Sequence, residues 1–257
     1  MIRRIAAAGI ALALCAAGAA ASGGTAAAVV TAAEEGPLAG RLIVLDPGHQ
    51  LGNSNPRFAK QMSQTIFNGA IVKGCNTSGT ATNSGFPEAT FTWRVAKRLK
   101  ALLESAGARV EMTRTTNSYD DWGPCVWDRA AFANDLDADA MISIHADGAS
   151  SGSKGFFALA PTRIKGWTDD VVAVDRRLAK AMIAGMTQAG AVPSNYIRGQ
   201  LMLSGSTTTL NMSNVPTTTI EVGNMRNASD ARRMTSSQGQ QQYAEWLFAG
   251  IERFFRR

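Results

Sequence analysis

Short continuous apolar runs alternate with longer amphipathic segments from residue 41 to the C-terminus. The apolar runs have the length of buried β-strands, and the segments between them have the spacing of helices. In the first such segment Phe91, Val95 and Leu99 recur every four residues, and Gly107 follows where the pattern stops. The predicted strands are 41–46, 108–114, 139–147, 155–161 and 217–224, and the predicted helices are 89–107, 127–138, 169–190 and 236–255.

This order of elements predicts the fold class. Strand–helix–strand alternation at this spacing favours an α/β fold, with one domain built on a twisted, mostly parallel β-sheet that is flanked by helices on both faces. With 45% apolar and 18% charged residues, the chain has the composition of a globular protein. We expect the domain to occupy residues 41–257. The stretch 50–87, rich in Pro, Gly and Ser, is predicted to be a long loop.

The first 22 residues have the features of a signal peptide. Arg3 and Arg4 precede an apolar run that extends from Ile5 to about Ala20, and small residues follow it. A membrane anchor that stays attached is the alternative, although the run is barely long enough to cross a bilayer. We expect residues 1–22 to be cleaved and 23–40 to form a linker or flexible start. The mature protein would then be exported to the periplasm, the cell wall or the medium, with no stable membrane anchor.

Charge and cysteine content fit this location. The formal net charge is +6, and cleavage would lower it by two, which favours binding to anionic surfaces such as cell-wall polymers. Nucleic acid is not an expected partner, because the sequence contains no basic run interleaved with aromatic residues. Cys15 would leave with the signal peptide, so Cys75 and Cys125 are predicted to form a disulfide in an oxidising compartment.

Both histidines of the chain are placed at the ends of predicted strands. His49 follows the first strand, His145 lies near the end of the third, and Glu221 is predicted to end another. Ligands of open α/β sheets bind outside the carboxyl ends of the strands. We therefore expect these three side chains to meet at one edge of the sheet.

The residues between the first strand and His49 suggest how this histidine reaches the edge. Pro47 and Gly48 are expected to turn the chain sharply off the strand, so that His49 faces the edge and not the core. Asp46 is predicted to support the site by accepting a hydrogen bond that orients a ligand or a loop. An ordinary Asp turn without such a role is the alternative.

Two converging imidazoles in an exported protein favour zinc, which takes three protein ligands in catalytic sites. Glu88 is the only acidic residue between His49 and Glu104 and begins a predicted helix, so it is the candidate third ligand. Two other interpretations of these residues are open. A histidine can be a satisfied surface or core group, and Glu88 can be an ordinary first-turn glutamate favoured by the helix dipole.

Four motifs together resemble one family. They are "IVLDPGHQ", Glu88 at the start of a helix that leads to "ARVEMTR", "DRAAFANDLDADAMISIHAD", and "VPTTTIEVGNMRNASDARRM". In this order they are similar to the zinc-dependent N-acetylmuramoyl-L-alanine amidases of bacterial cell walls. The resemblance implies that His49, Glu88 and His145 hold one zinc ion and that Glu221 is the catalytic carboxylate. Asp147 stands where the family often has Asn, and we expect it, like Asp46, to support the ligands.

The function implied is hydrolysis of the amide bond between the lactyl group of N-acetylmuramic acid and L-alanine. The substrate would be peptidoglycan or a muropeptide, with Glu221 as the general base for a metal-activated water. Two alternatives stay open: a zinc peptidase that cuts within the stem peptide, and a peptidoglycan-binding protein without catalysis. We expect a monomer, and we expect part of the 50–87 segment to cover the site.

Overall fold

The computed structural model describes residues 36–256. The strands are β1 (Leu42–Pro47), β2 (Thr65–Phe67), β3 (Val72–Gly74), β4 (Arg109–Met112), β5 (Ala140–Asp147), β6 (Phe157–Pro161), β7 (Leu201–Ser204) and β8 (Thr217–Asn224). The helices are α1 (Ala59–Met62), α2 (Glu88–Ser105), α3 (Val126–Asp135), α4 (Val172–Gln188), α5 (Thr208–Asn211), α6 (Ala228–Thr235) and α7 (Ser237–Phe255).

Six of the strands form one sheet in the order β4-β1-β5-β8-β6-β7. The pairs β1–β4, β1–β5, β5–β8 and β6–β7 are parallel, and β6 runs antiparallel to β8. The predicted α/β fold with a mostly parallel sheet is therefore confirmed. Because β1, β5 and β8 are parallel neighbours, their carboxyl ends meet at one edge of the sheet.

Both faces of the sheet are covered, which explains why its central strands are apolar throughout. Ile43 and Leu45 of β1 belong to a large buried cluster that also contains residues of α2, α4 and α7. Val44, between them, points to the other face and packs with Met141 and Ala133, the latter from α3. The alternation along one strand thus places helices on both sides.

Helix α2 follows from its apolar spacing. Phe91, Val95 and Leu99 are fully buried along one face, as predicted. After the helix, Gly107 takes a φ of +92°, a left-handed conformation that ends helices and suits glycine. The helix begins at Glu88, so this side chain is fixed at the carboxyl edge of the sheet.

The prediction for residues 50–87 was wrong in part. The stretch is not a plain loop, because it contains α1 and the β2–β3 hairpin. Strand β7 and helix α6 were also not predicted. In α6 only Met234 among the apolar residues is fully buried, so its sequence gives no hydrophobic period.

The predicted disulfide is present. Cys75 and Cys125 are bonded across a sequence separation of 50 residues, and both are buried. Val126 N–H also donates to the Cys75 carbonyl at 2.8 Å. By the chain-entropy account, a loop of this length contributes about 3–4 kcal/mol of stability. The bond fastens the 50–87 segment to the start of α3, beside β1.

The folded domain includes residues that precede 41. Leu38 lies within the predicted flexible start, yet it is buried and its N–H donates to the Ala106 carbonyl at 3.0 Å. The predicted signal peptide, residues 1–22, lies outside the described residues. Within residues 36–256, none of the helices has the length and apolar character needed to cross a membrane.

Candidate metal and catalytic site

His49 reaches the carboxyl edge through a turn that differs from the predicted one. Gly48 keeps an ordinary backbone, and His49 itself takes the left-handed conformation, with φ of 61°. Gly48 is required for another reason: a Cβ there would lie 2.6 Å from Nδ1 of His145. The glycine thus lets the β1 backbone pass directly under the second imidazole.

Two buried arginines hold the backbone of this turn. Arg129 donates from Nη1 to the Pro47 carbonyl at 2.9 Å and from Nη2 to the His49 carbonyl at 3.0 Å. Arg114 Nε donates to the Pro47 carbonyl at 3.0 Å. Gly48 lies between Pro47 and His49, and its carbonyl accepts a hydrogen bond from the Thr92 hydroxyl at 2.9 Å. These bonds offset the cost of a non-glycine residue in the left-handed region.

Asp46 supports the site through Arg129. Its carboxylate accepts hydrogen bonds from Arg129 Nη1 and Ser143 Oγ, each at 2.6 Å, and from Thr113 Oγ1 at 2.7 Å. Burial alone would raise the pKa of Asp46, but Arg129 and the two hydroxyls lower the pKa to about 2. The Asp46 carboxylate is therefore a buried anion that binds Arg129. Arg129 in turn donates a hydrogen bond to the His49 carbonyl.

Three side chains converge beyond the ends of β1 and β5. Glu88 Oε1 lies 3.1 Å from His49 Nε2 and 3.0 Å from His145 Nδ1. One ligand atom from each of the three residues falls within 4.8 Å of the others. The structure thus brings together the three residues predicted from the sequence as metal ligands.

The surroundings of His49 suit a metal ligand. Its Nδ1 lies 3.0 Å from the Thr77 carbonyl, which accepts hydrogen bonds only, and 3.1 Å from the Thr77 hydroxyl. With Nδ1–H donated to this carbonyl, Nε2 is the nitrogen left to bind a metal, and it faces Glu88 and the candidate site. A histidine that donates its second nitrogen to a carbonyl is the usual arrangement of a metal ligand.

Glu88 is not an ordinary first-turn glutamate on a solvated helix face. It is buried, its Oε2 accepts from Thr80 N–H at 2.9 Å, and its Oε1 accepts from Ala146 N–H at 3.1 Å. Burial opposes ionisation, but His49 and His145 outweigh it and hold the pKa of Glu88 well below its usual range. The side chain is an anion, which suits a cation ligand.

Glu221 faces this group from the neighbouring strand. It pairs in register with His145 across β5 and β8, and directly opposed residues share a face of the sheet. It lies inside β8, which runs to Asn224 as the predicted strand 217–224 does, so Glu221 is three residues from the strand's end. Glu221 Oε2 is buried without a hydrogen-bond partner. Burial, then the charges of Glu88 and Asp147, raise the pKa of Glu221.

Asp147 lies beside Glu221 but makes its main contact elsewhere. Its Oδ2 accepts a hydrogen bond from Tyr196 Oη at 2.7 Å. The Tyr196 ring packs edge-on against Phe157, with centroids 5.7 Å apart. Asp147 therefore contributes negative charge near Glu221 and is positioned by Tyr196, a residue with no motif in the sequence that marks it.

Two cavities adjoin the converging residues. The larger, of about 780 Å³, is lined by the His49, Glu88 and His145 group, by Glu221 and by residues 77–81. The smaller, of about 310 Å³, shares His49, His145 and Glu221, and is lined further by Lys73 and residues 206–209. Part of the 50–87 segment therefore forms walls on both sides of the site.

The donor set fits zinc. Two imidazole nitrogens and one carboxylate oxygen form a His₂Glu set, which in catalytic sites leaves a fourth position for water or substrate. Beside this set, the buried Oε2 of Glu221 has no hydrogen-bond partner within the described part of the protein and is free to contact a bound group. Fold and site together define an α/β enzyme with a candidate metal-binding His–Glu–His group.

Comparison with known proteins identifies the family. The family model described as N-acetylmuramoyl-L-alanine amidase matches residues 43–253, and the chain belongs to this family of enzymes. It is 35% identical over 220 residues to N-acetylmuramoyl-L-alanine amidase Rv3717 of Mycobacterium tuberculosis, covering 84% of this chain and 87% of that protein.

Solved structures agree. The crystal structure of the N-acetylmuramyl-L-alanine amidase Ami1 from Mycobacterium smegmatis matches with a TM-score of 0.77 and 34% identity, covering 85% of this chain and 98% of that one. The apo form of Ami1 from Mycobacterium abscessus matches with a TM-score of 0.78 and 36% identity, covering 85% of this chain and all of that one. The chain is thus similar to these amidases over 85% of its length.

Proposed function

We propose that the protein hydrolyses the amide bond between the lactyl group of N-acetylmuramic acid and L-alanine, with zinc as its cofactor. His49, Glu88 and His145 would hold one zinc ion, and Glu221 would be the catalytic carboxylate. The observation that carries this proposal is the convergence of the three ligand atoms within 4.8 Å, with Glu221 opposite His145 on the next strand. Membership of the N-acetylmuramoyl-L-alanine amidase family supports the choice of this amide bond as the one that is cut.

When bound, zinc would supply Lewis acidity, which polarises the attacked carbonyl and makes water a stronger nucleophile near neutral pH. Glu221 would take the proton of the attacking water on a carboxylate oxygen. It would then give this proton to the nitrogen of the departing L-alanine, so that the amide bond breaks to a carboxylic acid and an amine, which leave as carboxylate and ammonium after the acid's proton passes to the amine. A raised pKa suits both halves of this transfer.

The remaining residues would position these groups. His49 presents Nε2 because Thr77 holds its Nδ1 proton, and Arg129 and Arg114 hold the backbone that carries it. Thr80 and Ala146 orient the Glu88 carboxylate through their N–H groups. The site is therefore supported by contacts already made in the folded chain, which lowers the cost of assembling it.

We infer that the enzyme works outside the cytoplasm as a monomer. The buried disulfide supports export, because such bonds persist in oxidising compartments. The predicted signal peptide would provide the route. The substrate there is peptidoglycan or soluble muropeptides, both of which contain the scissile amide.

Product analysis on a defined muramoyl peptide tests the proposal. The purified enzyme should release a free peptide that begins with L-alanine and leave the muramic acid residue intact, with a free lactyl carboxyl group. Peptide fragments cut after L-alanine, with L-alanine still on the sugar, would show a peptidase that acts within the stem. Removal of zinc by a chelator should abolish cleavage, and added zinc should restore it.

A further inference from the structure

Charge is distributed unevenly in the larger cavity. Three carboxylates line it, those of Glu88, Asp147 and Glu221, together with a single arginine, Arg226. No lysine and no other arginine lines this cavity among the described residues. Arg226 is the one basic side chain that lines this cavity, so it is the side chain there that could pair with an anionic part of a ligand.

The backbone of Arg226 is fixed at the edge of this cavity. Its N–H donates to Asn224 Oδ1 at 2.9 Å, and Asn224 is fully buried. The amide nitrogen of Asn224 donates in turn to the carbonyls of Ser150 and Ser153, each at 2.8 Å. Met225 N–H, one residue earlier, donates to the Asp147 carbonyl at 2.8 Å. The side chain of Arg226 therefore starts from a rigid support.

The guanidinium group has capacity to bind an anion. Its Nη1 donates to Asn83 Oδ1 at 3.3 Å, a neutral and rather long contact. Arg226 takes part in none of the ion pairs formed within residues 36–256. Asn83 thus orients the group without neutralising it, and the remaining N–H donors have the fork geometry that binds a carboxylate through two hydrogen bonds.

We propose that Arg226 binds a carboxylate of the peptide part of the substrate, so that the stem peptide lies along the larger cavity. This inference rests on the proposed function. In a muramoyl peptide the sugars are uncharged and the lactyl carboxyl is tied up in the scissile amide, so the carboxylates belong to the peptide. Arg226 is therefore a specificity-determining residue that sets the direction in which the substrate is bound.

Lys73 is the competing cation, on the other side of the site. It lines the smaller cavity and is exposed on the short β2–β3 hairpin. Its ammonium group is a point charge without the two-pronged geometry of a guanidinium. A peptide bound toward Lys73 would lie in a cavity of about 310 Å³ instead of about 780 Å³. A peptide bound toward Arg226 would lose its carboxylate contact in Arg226→Gln, whereas a peptide bound toward Lys73 would lose it in Lys73→Gln.

The test uses two muramoyl dipeptides that differ in one group. The second residue carries either a free α-carboxylate or the neutral carboxamide, and any other carboxyl group is amidated in both. We expect the wild-type enzyme to prefer the carboxylate. Arg226→Gln should lower kcat/KM for the carboxylate substrate by about tenfold more than for the carboxamide, the size of a partly exposed charged hydrogen bond. Arg226→Lys should recover part of the preference.

Two matched variants make the result specific. Arg232→Gln removes the same charge from an exposed position on α6 that does not line the cavity, and it should keep the wild-type preference. Lys73→Gln should keep it as well. Zinc content should be the same in all variants, because none of these residues contacts the metal group.

Two outcomes would overturn the inference. The first is that Arg226→Gln leaves the ratio of kcat/KM for the two substrates unchanged. The second is that Lys73→Gln is the variant that abolishes the preference for the carboxylate. Failure of the proposed function looks different, since the wild-type enzyme would then cleave neither dipeptide at the lactyl amide.

Discussion

His145 and Glu221 lie directly opposite each other on the neighbouring parallel strands β5 and β8. One is a candidate metal ligand and the other the candidate general base. Because their separation is set by strand pairing, the relation between the two does not depend on a flexible loop. A shift of the register by one residue would turn Glu221 to the other face of the sheet and remove it from the site.

Replacement of Glu221 by glutamine should separate catalysis from metal binding. Glu221→Gln keeps the shape of the side chain but cannot accept a proton, so turnover should fall by about 10²–10⁴-fold. Zinc content should stay that of the wild type, because Glu221 is not among the three ligands. Glu245→Gln, at an exposed position on α7, is the control. Undiminished turnover in Glu221→Gln would exclude this residue as the general base.

The pH dependence of the reaction should reflect the environment of Glu221. A general base must be ionised, and burial raises the pKa of Glu221, with the charge of Asp147 acting in the same direction. Activity should therefore decline as the pH falls through a value above the ordinary glutamate range. The measurement is kcat/KM against pH with metal-saturated enzyme. An acidic limb at the ordinary glutamate pKa would contradict this environment.

Gly79 tests the close packing of the 50–87 segment against His49 and Glu88. Its φ is +79°, and a Cβ there would lie 2.7 Å from His49 Cδ2 and 2.8 Å from Glu88 Oε2. Gly79→Ala should weaken zinc binding by about 10–100-fold, as other disturbances around ligands do. Gly85→Ala is the matched control, since Gly85 has a φ of +86° but open space around it. Equal zinc affinity in the two variants would show that the close approach is not needed.

Stability in acid should depend on Asp46. Its pKa is lowered from 3.8 to about 2, so its ionised form stabilises the fold above pH 4, and this contribution of about 2 kcal/mol is lost as the pH falls through 2. Asp46→Asn should destabilise the protein at pH 7, because it leaves Arg129 buried without its counter-charge. The difference in unfolding free energy from wild type should shrink between pH 4 and pH 2. Urea denaturation measures it, and a difference that does not change over this range would argue against the ion pair.

The disulfide should contribute to stability without being part of the chemistry. A reductant should lower the free energy of unfolding by about 3–4 kcal/mol. A variant with both Cys75 and Cys125 replaced by serine should be equally destabilised and should not respond to the reductant. If the wild type unfolds identically with and without reductant, the bond contributes nothing measurable.

Much of this site was predictable, since its residues are scarce and stand at strand ends. With two histidines in the chain, the positions of His49 and His145 after apolar runs were enough to place them at one edge. Glu88 followed from the absence of any other acidic residue before Glu104. These inferences needed only the order of strands and helices, which is written in the apolar periodicity.

The supporting contacts were not predictable in the same way. Arg114 and Arg129 look like ordinary basic residues until tertiary packing buries them against the turn that carries His49. The left-handed φ of His49 was not predicted, because the neighbouring Gly48 is the residue type expected in that conformation. Gly48 instead makes room for the His145 ring. The strand at β6 was predicted, but its antiparallel direction was not, because periodicity shows that a strand is buried but not in which direction it runs.

The metal content of the purified protein tests the central claim most directly. Elemental analysis should find about one zinc per chain in the wild type, and His49→Ala and His145→Ala should each lose it while circular dichroism shows that they remain folded. A wild-type protein that is folded and cleaves muramoyl peptides at the lactyl amide without any bound metal, even after incubation with zinc, would contradict the account.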